Sequence, residues 1–422
     1  MASFNLSNFD AAMKHMYPYK KVENLVYKNN PLLAMIPKET KFPGKNATYA
    51  VEYGITPGRS AHFATAQANR GGTQLQEFVV TRVKDYAVVS VDNETLLAAD
   101  GNEGSLLDVA KVKTNSALHA LSRTMGRDVY GSGHGDIGKI DSGEGTTGVI
   151  ITLSPQSDVV NFEKGMRIVC GTGTAGAALR NNGQAVEVTG VDRDGGKITI
   201  STAMETAWGT ISSDFLLYPE GDASNNVAKV KIAGLDAWLP SSIHATTDSF
   251  FGVNRAQDKT RLGGQRQAFT GSAIRETLID AGVKVAREGG RPDAVFMNPL
   301  DWAKLAKDLE GYTTVASGQS PNRRRYGAKD TAANFGFSSV SLATPNGIVD
   351  IYADHNCPEE VAYMLQMDTW KFKSLGAAPR ILDFDGLKGV REANSDGVEY
   401  RWGYYGNMLC TAPGFNCRVA LD

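Results

Sequence analysis

Between residues 41 and 92 the chain carries two strand-forming runs with nothing adjacent in sequence for them to pack on. Thr48 to Tyr53 alternates with period two. The return run, Glu77 to Val91, places Phe78, Val80, Val83, Tyr86, Val88 and Val89 along it, with a register change expected near Lys84-Asp85. Between them lies a Gly/Ala/Gln-rich tip, Gly54 to Gln76. A lone two-stranded ribbon is at best marginally stable in water, so this one is expected to lie against another domain or another subunit. Residues 1–40 raise the same problem. They offer a short helical stretch, Phe9 to Met16, then an extended piece with Asn29-Asn30-Pro31 and Ile36-Pro37. That is too little apolar surface for a core, and it reads as an arm that must lie on something else.

The rest of the chain supplies conventional cores. Ser105, with Asp108 three places on, starts a helix that runs to about residue 130 and would be about 39 Å long. Leu107, Ala110, Ala117, Leu118, Leu121, Met125 and Val129 form its apolar stripe, and Gly131-Ser132-Gly133 ends it. Residues 136–228 change character. Short apolar runs alternate with Gly-rich turns, and Arg193-Asp194-Gly195-Gly196 is a hairpin signal. This reads as a small β-barrel or sandwich inserted into a larger domain. An α/β segment follows, with a helix over Ser272 to Arg287, a buried strand over Asp293 to Met297, and a helix capped by Asn298 with Pro299 at its first position and Asp301 facing the dipole. The remainder is β-rich, closing on Pro413-Gly414 and Phe415 to Leu421.

Chemistry is hard to find. The 44 Lys+Arg nearly cancel the 46 Asp+Glu, which argues against a general nucleic-acid or membrane-surface binder. No apolar run approaches the roughly 20 residues of a membrane span, and the first ten residues lack the features of a signal peptide. Cys170, Cys357, Cys410 and Cys417 form no CxxC pair, so they are expected to be small buried hydrophobes in a protein made in a reducing cytoplasm. Gly171, Gly173 and Gly176 make a GxGxxG, the basis of a nucleotide-binding oxidoreductase alternative. The room after it is too short for the crossover of a parallel βαβ unit, and a Gly-rich turn is the better reading. Gly133 to Ile140 nearly matches a phosphate-binding loop, but Ile140 replaces the Ser/Thr, and a helix precedes it instead of a strand. Six scattered histidines form no metal motif, and Asp383 with Asp385 reads as solvated or capping. No catalytic residue, cofactor or metal is assigned. The dense basic cluster, Arg323-Arg324-Arg325-Tyr326, reads as a subunit contact ahead of a nucleic-acid contact.

The order of arm, long hairpin, long helix, α/β domain and returning strands resembles the major capsid proteins of tailed bacteriophages, the Hong Kong 97-type fold. Gly234-Leu235 ahead of Phe251-Gly252-Val253-Asn254-Arg255 carries the likeness, as does Asp293-Ala-Val-Phe-Met-Asn298-Pro299-Leu-Asp-Trp302 after its helix. Glu399-Tyr-Arg401 and Pro413-Gly-Phe-Asn416 add to it near the end. The implied fold class is α+β. Its parts would be an N-terminal arm (1–40), the E-loop hairpin (41–92), a peripheral domain with spine helix (93–135), a β-rich insertion (136–228), a peripheral connector (229–271), an axial domain (272–385) and peripheral C-terminal strands (386–422).

The resemblance implies a shell subunit that self-assembles into hexamers and pentamers of an icosahedral head around double-stranded DNA. It implies a scaffolding protein, a portal and a decoration protein as further partners, assembly in the host cytoplasm, and a place in the virion with no membrane contact. Candidate subunit contacts are Arg59, Phe63 and Arg70 on the hairpin and Arg323, Arg324 and Arg325 near the capsomer centre. Residues 46–83 contain no lysine, so a hairpin isopeptide cross-link is not expected. With about 40 residues before the hairpin, scaffolding is expected from a separate chain. An encapsulin-like cargo compartment is the alternative within the same fold. The insertion is expected to project from the outer surface or to bridge capsomers.

Overall fold

The computed structural model describes residues 30–422 except 43, 56–57, 93, 95–108, 142–147, 173–177, 211–214, 224–228, 272, 315–327, 330–338, 384–385, 387–388 and 394. The arm before Asn30, the proposed cap Ser105, Asp385 and the arginine cluster Arg323 to Arg325 therefore lie outside the described residues.

The first described elements are a short helix α1 (Pro31–Met35) and strand β1 (Lys38–Glu39), then the hairpin β2 (Asn46–Gly54) and β3 (Gln74–Thr81) with a one-and-a-half-turn helix α2 (Phe63–Ala68) in its tip. Strand β4 (Val83–Asp92) and the spine helix α3 (Val109–Asp128) follow. The 20 described residues of α3 span about 30 Å.

The return run of the hairpin is not one strand. It breaks at Arg82: β3 pairs with β2 from Asn46↔Thr81 outward, whereas β4 pairs along its whole length with a strand from the far C-terminus. The expected register change near Lys84-Asp85 thus falls slightly earlier. Asn407 fixes the break, donating from Nδ2 to the Thr81 carbonyl (2.8 Å).

The insertion contains β5 (Gly138–Lys139), β6 (Ile150–Thr152), β7 (Arg167–Gly171), β8 (Val186–Asp192), β9 (Lys197–Ile200), helix α4 (Met204–Trp208) and β10 (Leu216–Pro219). The strand order is β5-β10-β7-β8-β9-β6. An Ile140↔Leu153 bridge joins the two ends, with Asp141 N donating to Thr152 O (3.0 Å) and Ser154 N to Lys139 O (2.9 Å). The sheet is a closed six-stranded antiparallel barrel, so it leaves no free edge. Its core is its own: Ile151, Phe162, Ile168, Val188, Ile198, Trp208 and Leu217 are all buried together. The β8–β9 turn is the predicted one, with Gly196 at φ +61° and Gly195 N held by Asp192 Oδ1 (3.0 Å). The GxGxxG begins on antiparallel β7, where Gly171 pairs with Leu216 of β10. Among the described residues both neighbours of β7, β8 and β10, run antiparallel to it, unlike a parallel strand-helix-strand unit.

The body continues with helix α5 (Leu235–Trp238), strands β11 (Ser249–Phe250), β12 (Val253–Asn254) and β13 (Gln265–Gln267), helix α6 (Ile274–Arg287), β14 (Ala294–Met297) and helix α7 (Pro299–Thr314). Strands β15 (Ala328–Lys329), β16 (Ser339–Thr344), β17 (Gly347–Ala353), β18 (Val361–Leu365), β19 (Trp370–Ser374), β20 (Arg380–Ile381), β21 (Gly389–Arg391), β22 (Gly397–Cys410) and β23 (Cys417–Ala420) complete it. Two sheets organise these elements. The seven-stranded sheet runs β13-β23-β18-β14-β17-β16-β15. All four residues of β14 are buried, and they alternate between two cores. Val295 and Met297 face α6 and α7, while Ala294 and Phe296 face the core shared with the spine helix. The six-stranded sheet is built on β22, which pairs with β4 on one side and with β19, β20 and β21 on the other.

The arm and the hairpin do not wait entirely for a partner. Leu32, Leu33 and Ile36 are buried in the shared core, and β1 adds a parallel strand to β19. Asp354, fully buried, accepts from Tyr130 Oη (2.8 Å) and Leu32 N (3.3 Å), and Asn356 donates to Asn30 Oδ1 (2.7 Å). The arm from Asn30 onward is thus fastened to its own chain. Its apolar residues are too few to make a core, but they complete one whose other members run from Phe78 to Cys410.

Candidate subunit-contact surface

The hairpin has a sealed root and an open tip. At the root, Phe78 and Val80 are buried, and Tyr49 stacks on Phe78 with ring centroids 5.5 Å apart. Phe78 meets Trp238 at 5.3 Å, and Trp238 meets Phe250 edge-on at 4.9 Å. Backbone bonding continues the seal, since Val79 N donates to Phe251 O (2.9 Å). Tyr49 Oη donates to the Cys410 carbonyl, and burial holds its phenol protonated far above ordinary pH. Of the two expected partners, another domain or another subunit, the root of the ribbon takes the first, within its own chain. The partner, Trp238 with Phe250 and Phe251, sits more than 150 residues further along the chain, where no local pattern could reveal it.

Polar contacts mark where the seal ends. Arg261 Nη1 donates to Tyr53 O (2.7 Å), and Gln76 Nε2 donates to Gln257 Oε1 (2.9 Å). Beyond Gly54 nothing in the described chain covers the ribbon. Ile55 is 82% exposed, Phe63 81% and Leu75 59%. Arg59 and Arg70 are exposed on the same tip and make no ion pair with any described residue. The tip nevertheless has a defined shape. Gly58 lies so close to Arg70 that a Cβ there would stand 2.9 Å from the Arg70 Cα. The structure thus brings Arg59, Phe63 and Arg70 together on one projecting tip. Arg323, Arg324 and Arg325 lie outside the described residues.

Such a tip can bind by desolvation. Covering one large apolar side chain is worth about 1.5–3 kcal/mol, and the two guanidinia can supply forked hydrogen bonds to carboxylates or carbonyls at a rim. Burial pushes the thiols of Cys170, Cys410 and Cys417 up to about 12, so none is a poised nucleophile. Among the described residues no group of three His, Cys, Asp or Glu side chains is placed to hold a metal, and no helix is long and apolar enough to cross a membrane. The near phosphate-loop, Gly133 to Ile140, makes the crossing from spine helix to barrel. A Cβ on Gly135 would stand 2.2 Å from Asp222 O, so this turn is closed by protein and leaves no room for a phosphate.

Sequence reading missed the residues that hold the body behind this surface. Asn416 Oδ1 accepts from Gln366 N (2.9 Å) and Trp370 Nε1 (2.8 Å), while its Nδ2 donates to Ala412 O (2.9 Å). Asn407 Oδ1 accepts from Ala233 N (2.9 Å). Asp301 lies buried at the start of α7 and takes the Glu360 amide (2.8 Å), so it is a loop anchor more than a dipole partner. Asn298 caps α7 as expected, accepting from Leu300 N (3.0 Å). The Pro-Gly-Phe-Asn turn was the available signal for Asn416; nothing in the sequence singled out Asn407.

Comparison with known proteins agrees with this architecture. Residues 206–395 match the family model described as SU10 major capsid protein. The capsid subunit of cyanophage A-1(L) superposes with a TM-score of 0.56 at 10% identity, covering 99% of this chain and 100% of that one. A gene-transfer-agent particle capsid (TM-score 0.47, 9% identity, all of both chains) and the SrpI encapsulin complex of Synechococcus elongatus PCC 7942 (0.45, 8%, 100% of this chain and 96% of that one) are more distant and carry no weight here. No curated protein sequence matches. The fold is the α+β, Hong Kong 97-type capsid fold with an inserted barrel. The segment matched by the family model, 190 of the 422 residues, is similar to the SU10 major capsid protein family. That segment, 206–395, runs from the end of the barrel through the seven-stranded sheet to just before β22.

Proposed function

We propose that this major capsid protein closes its shell through the hairpin tip, with Arg59, Phe63 and Arg70 seated on a neighbouring subunit in hexamers and pentamers around double-stranded DNA. The observation that carries this is the contrast within one hairpin. The root is buried on its own chain, whereas Ile55, Phe63 and Leu75 are left largely uncovered. A monomeric protein has no use for three large apolar side chains on a projecting polar tip, and exposed apolar patches mark interaction sites. A specific interface buries about 1,200–2,000 Å², which a shaped tip and an arm from each neighbour can supply together.

The arm before Asn30 and the cluster Arg323 to Arg325 are assigned to further subunit contacts, the latter in an axial part spanning about 272–385. The closed barrel, which has its own core, is assigned to the outer surface. A scaffolding protein, a portal and a decoration protein complete the particle. DNA touches the inner wall without sequence preference, in keeping with the net charge of −2. Assembly takes place in the host cytoplasm, and the subunit carries no catalytic activity.

Replacing residues 55–73 by a short turn tests the reading. The variant is expected to stay soluble and folded while forming no closed shells under negative-stain microscopy. Normal particles from it would overturn the assignment.

A further inference from the structure

The sheet built on β22 has two faces. One carries Phe372, Tyr404 and Met408 and is buried against the spine helix with Leu121 and Met125. The other lies open along its β4 side. Lys84, Tyr86 and Val88 of β4 stand on it beside Tyr405, Gly403 and Arg401 of β22, and Arg380 of β20 stands across from Gly403. Tyr86 closes over Gly403, where a Cβ would stand 3.1 Å from its ring, and the Tyr86 and Tyr405 rings meet edge-on at 6.0 Å. Val88 is 58% exposed, Tyr86 47% and Leu375 44%. The charge on this face is mostly positive. Lys371 and Lys373 share the one carboxylate of Glu39, Arg401 is paired with Glu399, and Asp92 stands at the far end opposite Gly397. Lys84 lies over the Tyr86 ring, its Nζ 6.0 Å from the centroid, and Arg380 Nε is buried with no hydrogen-bond partner. Neither makes an ion pair with any described residue.

We propose that this face is the seat for the hairpin stem of a second copy, with the neighbour's Glu52 and Glu77 against Lys84, Arg380 and the Lys371–Lys373 pair, and its Leu75 against Tyr86 and Val88. This rests on the reading that the hairpin seats on a neighbour, and adds where it sits. The stem is two-faced in the same way. Tyr49 and Phe78 turn to the body, so by alternation Ala50, Glu52, Leu75 and Glu77 turn outward, Ala50 paired with Glu77 and Glu52 with Leu75. That outward face carries two carboxylates and no cation among its described residues, and neither carboxylate has an ion-pair partner there. The two open faces are thus opposite in sign, and each has apolar side chains among its charges. Two copies of either face would set like charge against like.

Charge also separates the stem from the other occupants of such a face. The hairpin tip carries Arg59 and Arg70 and no acid between Ile55 and Thr73, so it would bring positive charge to a positive surface. The seat therefore falls to the stem, and the tip reaches past it. A polyanion such as duplex DNA would match the cations. Its phosphates offer nothing to cover Tyr86, Val88 and Leu375, whereas exposed apolar groups clustered among charges mark a protein contact. An apolar centre within a charged rim is the ordinary build of a specific interface, and rim charges of opposite sign select the partner and fix its register.

A charge exchange in the full-length protein tests this. Glu52→Lys with Glu77→Lys, and separately Lys84→Glu with Arg380→Glu, are each expected to cut the yield of closed shells under negative-stain microscopy by roughly tenfold or more, since like charges then face each other. The four changes together restore the pairing and are expected to recover shells. Thermal melting of the unassembled subunit is the control for folding. If Arg380→Glu lowers it, the exchange of Glu77→Lys with Lys84→Glu is read in its place. Shells left intact by either reversal, or no recovery on exchange, overturn the proposal. Intact shells from Lys84→Glu with Arg380→Glu, together with weakened binding of a short DNA duplex, give the face to nucleic acid instead. Loss of shells on replacing residues 55–73 but not on either reversal removes this seat and leaves the tip reading standing, so the two fail separately.

Discussion

The barrel and the hairpin are both excursions from the body, and they solve the problem of apolar surface in opposite ways. The barrel spends about 80 residues to close six strands on themselves, and every large apolar side chain of its core is satisfied inside it. The hairpin has two strands and cannot do this. It borrows Trp238 and Phe250 at its root and leaves Ile55, Phe63 and Leu75 in water at its tip. A self-contained excursion can be moved as a unit. An incomplete one needs company, first from its own chain and then from another copy.

Breaking each excursion at its core should give the largest effects. Trp208→Ala in the barrel and Phe78→Ala at the hairpin root should each cost about 3–5 kcal/mol, since both side chains are fully buried. The loss should fall in different places. Trp208→Ala should melt the barrel in a separate earlier transition while the body stays intact, whereas Phe78→Ala should lower the main transition. Denaturation followed by hydrogen exchange distinguishes them, and a single common transition in both would remove the claim of barrel independence. Next in size comes the body that both excursions lean on. Asn416→Ala leaves the Gln366 amide and the Trp370 indole without their acceptor, which should cost about 1–3 kcal/mol by chemical denaturation.

Smaller effects are expected at the edges. Glu39 on β1 lies 2.7 Å from Lys371 and 3.4 Å from Lys373, and the Lys371 hydrogen bond holds its carboxyl below the ordinary value of 4.5. A depressed carboxyl stabilises above its ordinary pKa and loses that contribution as the pH falls through and below it. Glu39→Gln should therefore cost less than about 1 kcal/mol at pH 7, and the difference from the natural protein should shrink below pH 4. The smallest change in stability belongs to Phe63→Ala. With the ring in water, it should stay within about 0.5 kcal/mol yet slow or abolish shell formation measured by light scattering. A large loss of monomer stability would show that the tip is not waiting for a partner.

Much of this was legible before any coordinates. The barrel announced itself through short apolar runs and turn residues, because each of its hairpins is a local event. The helix ending at Gly131, the buried strand over 294–297 and the Asn298-Pro299 start of α7 were readable for the same reason. A break in the return run was readable near Lys84-Asp85, but not its place at Arg82 or the turn of β4 to β22, which depend on contacts more than 300 residues away. Nor was the hairpin's own seat visible, since Trp238 reads locally as one more apolar residue after Gly234-Leu235.

The sequence by itself determined which segments could form closed units and which carried apolar surface they could not cover, because period, turn chemistry and chain length act over a few residues. Tertiary structure alone decided how far up the hairpin that deficit is met from within, and which distant residues, Asn407 and Asn416 among them, tie the body together. Both depend on contacts between residues brought together from distant parts of the chain, and local pattern carries no information about those.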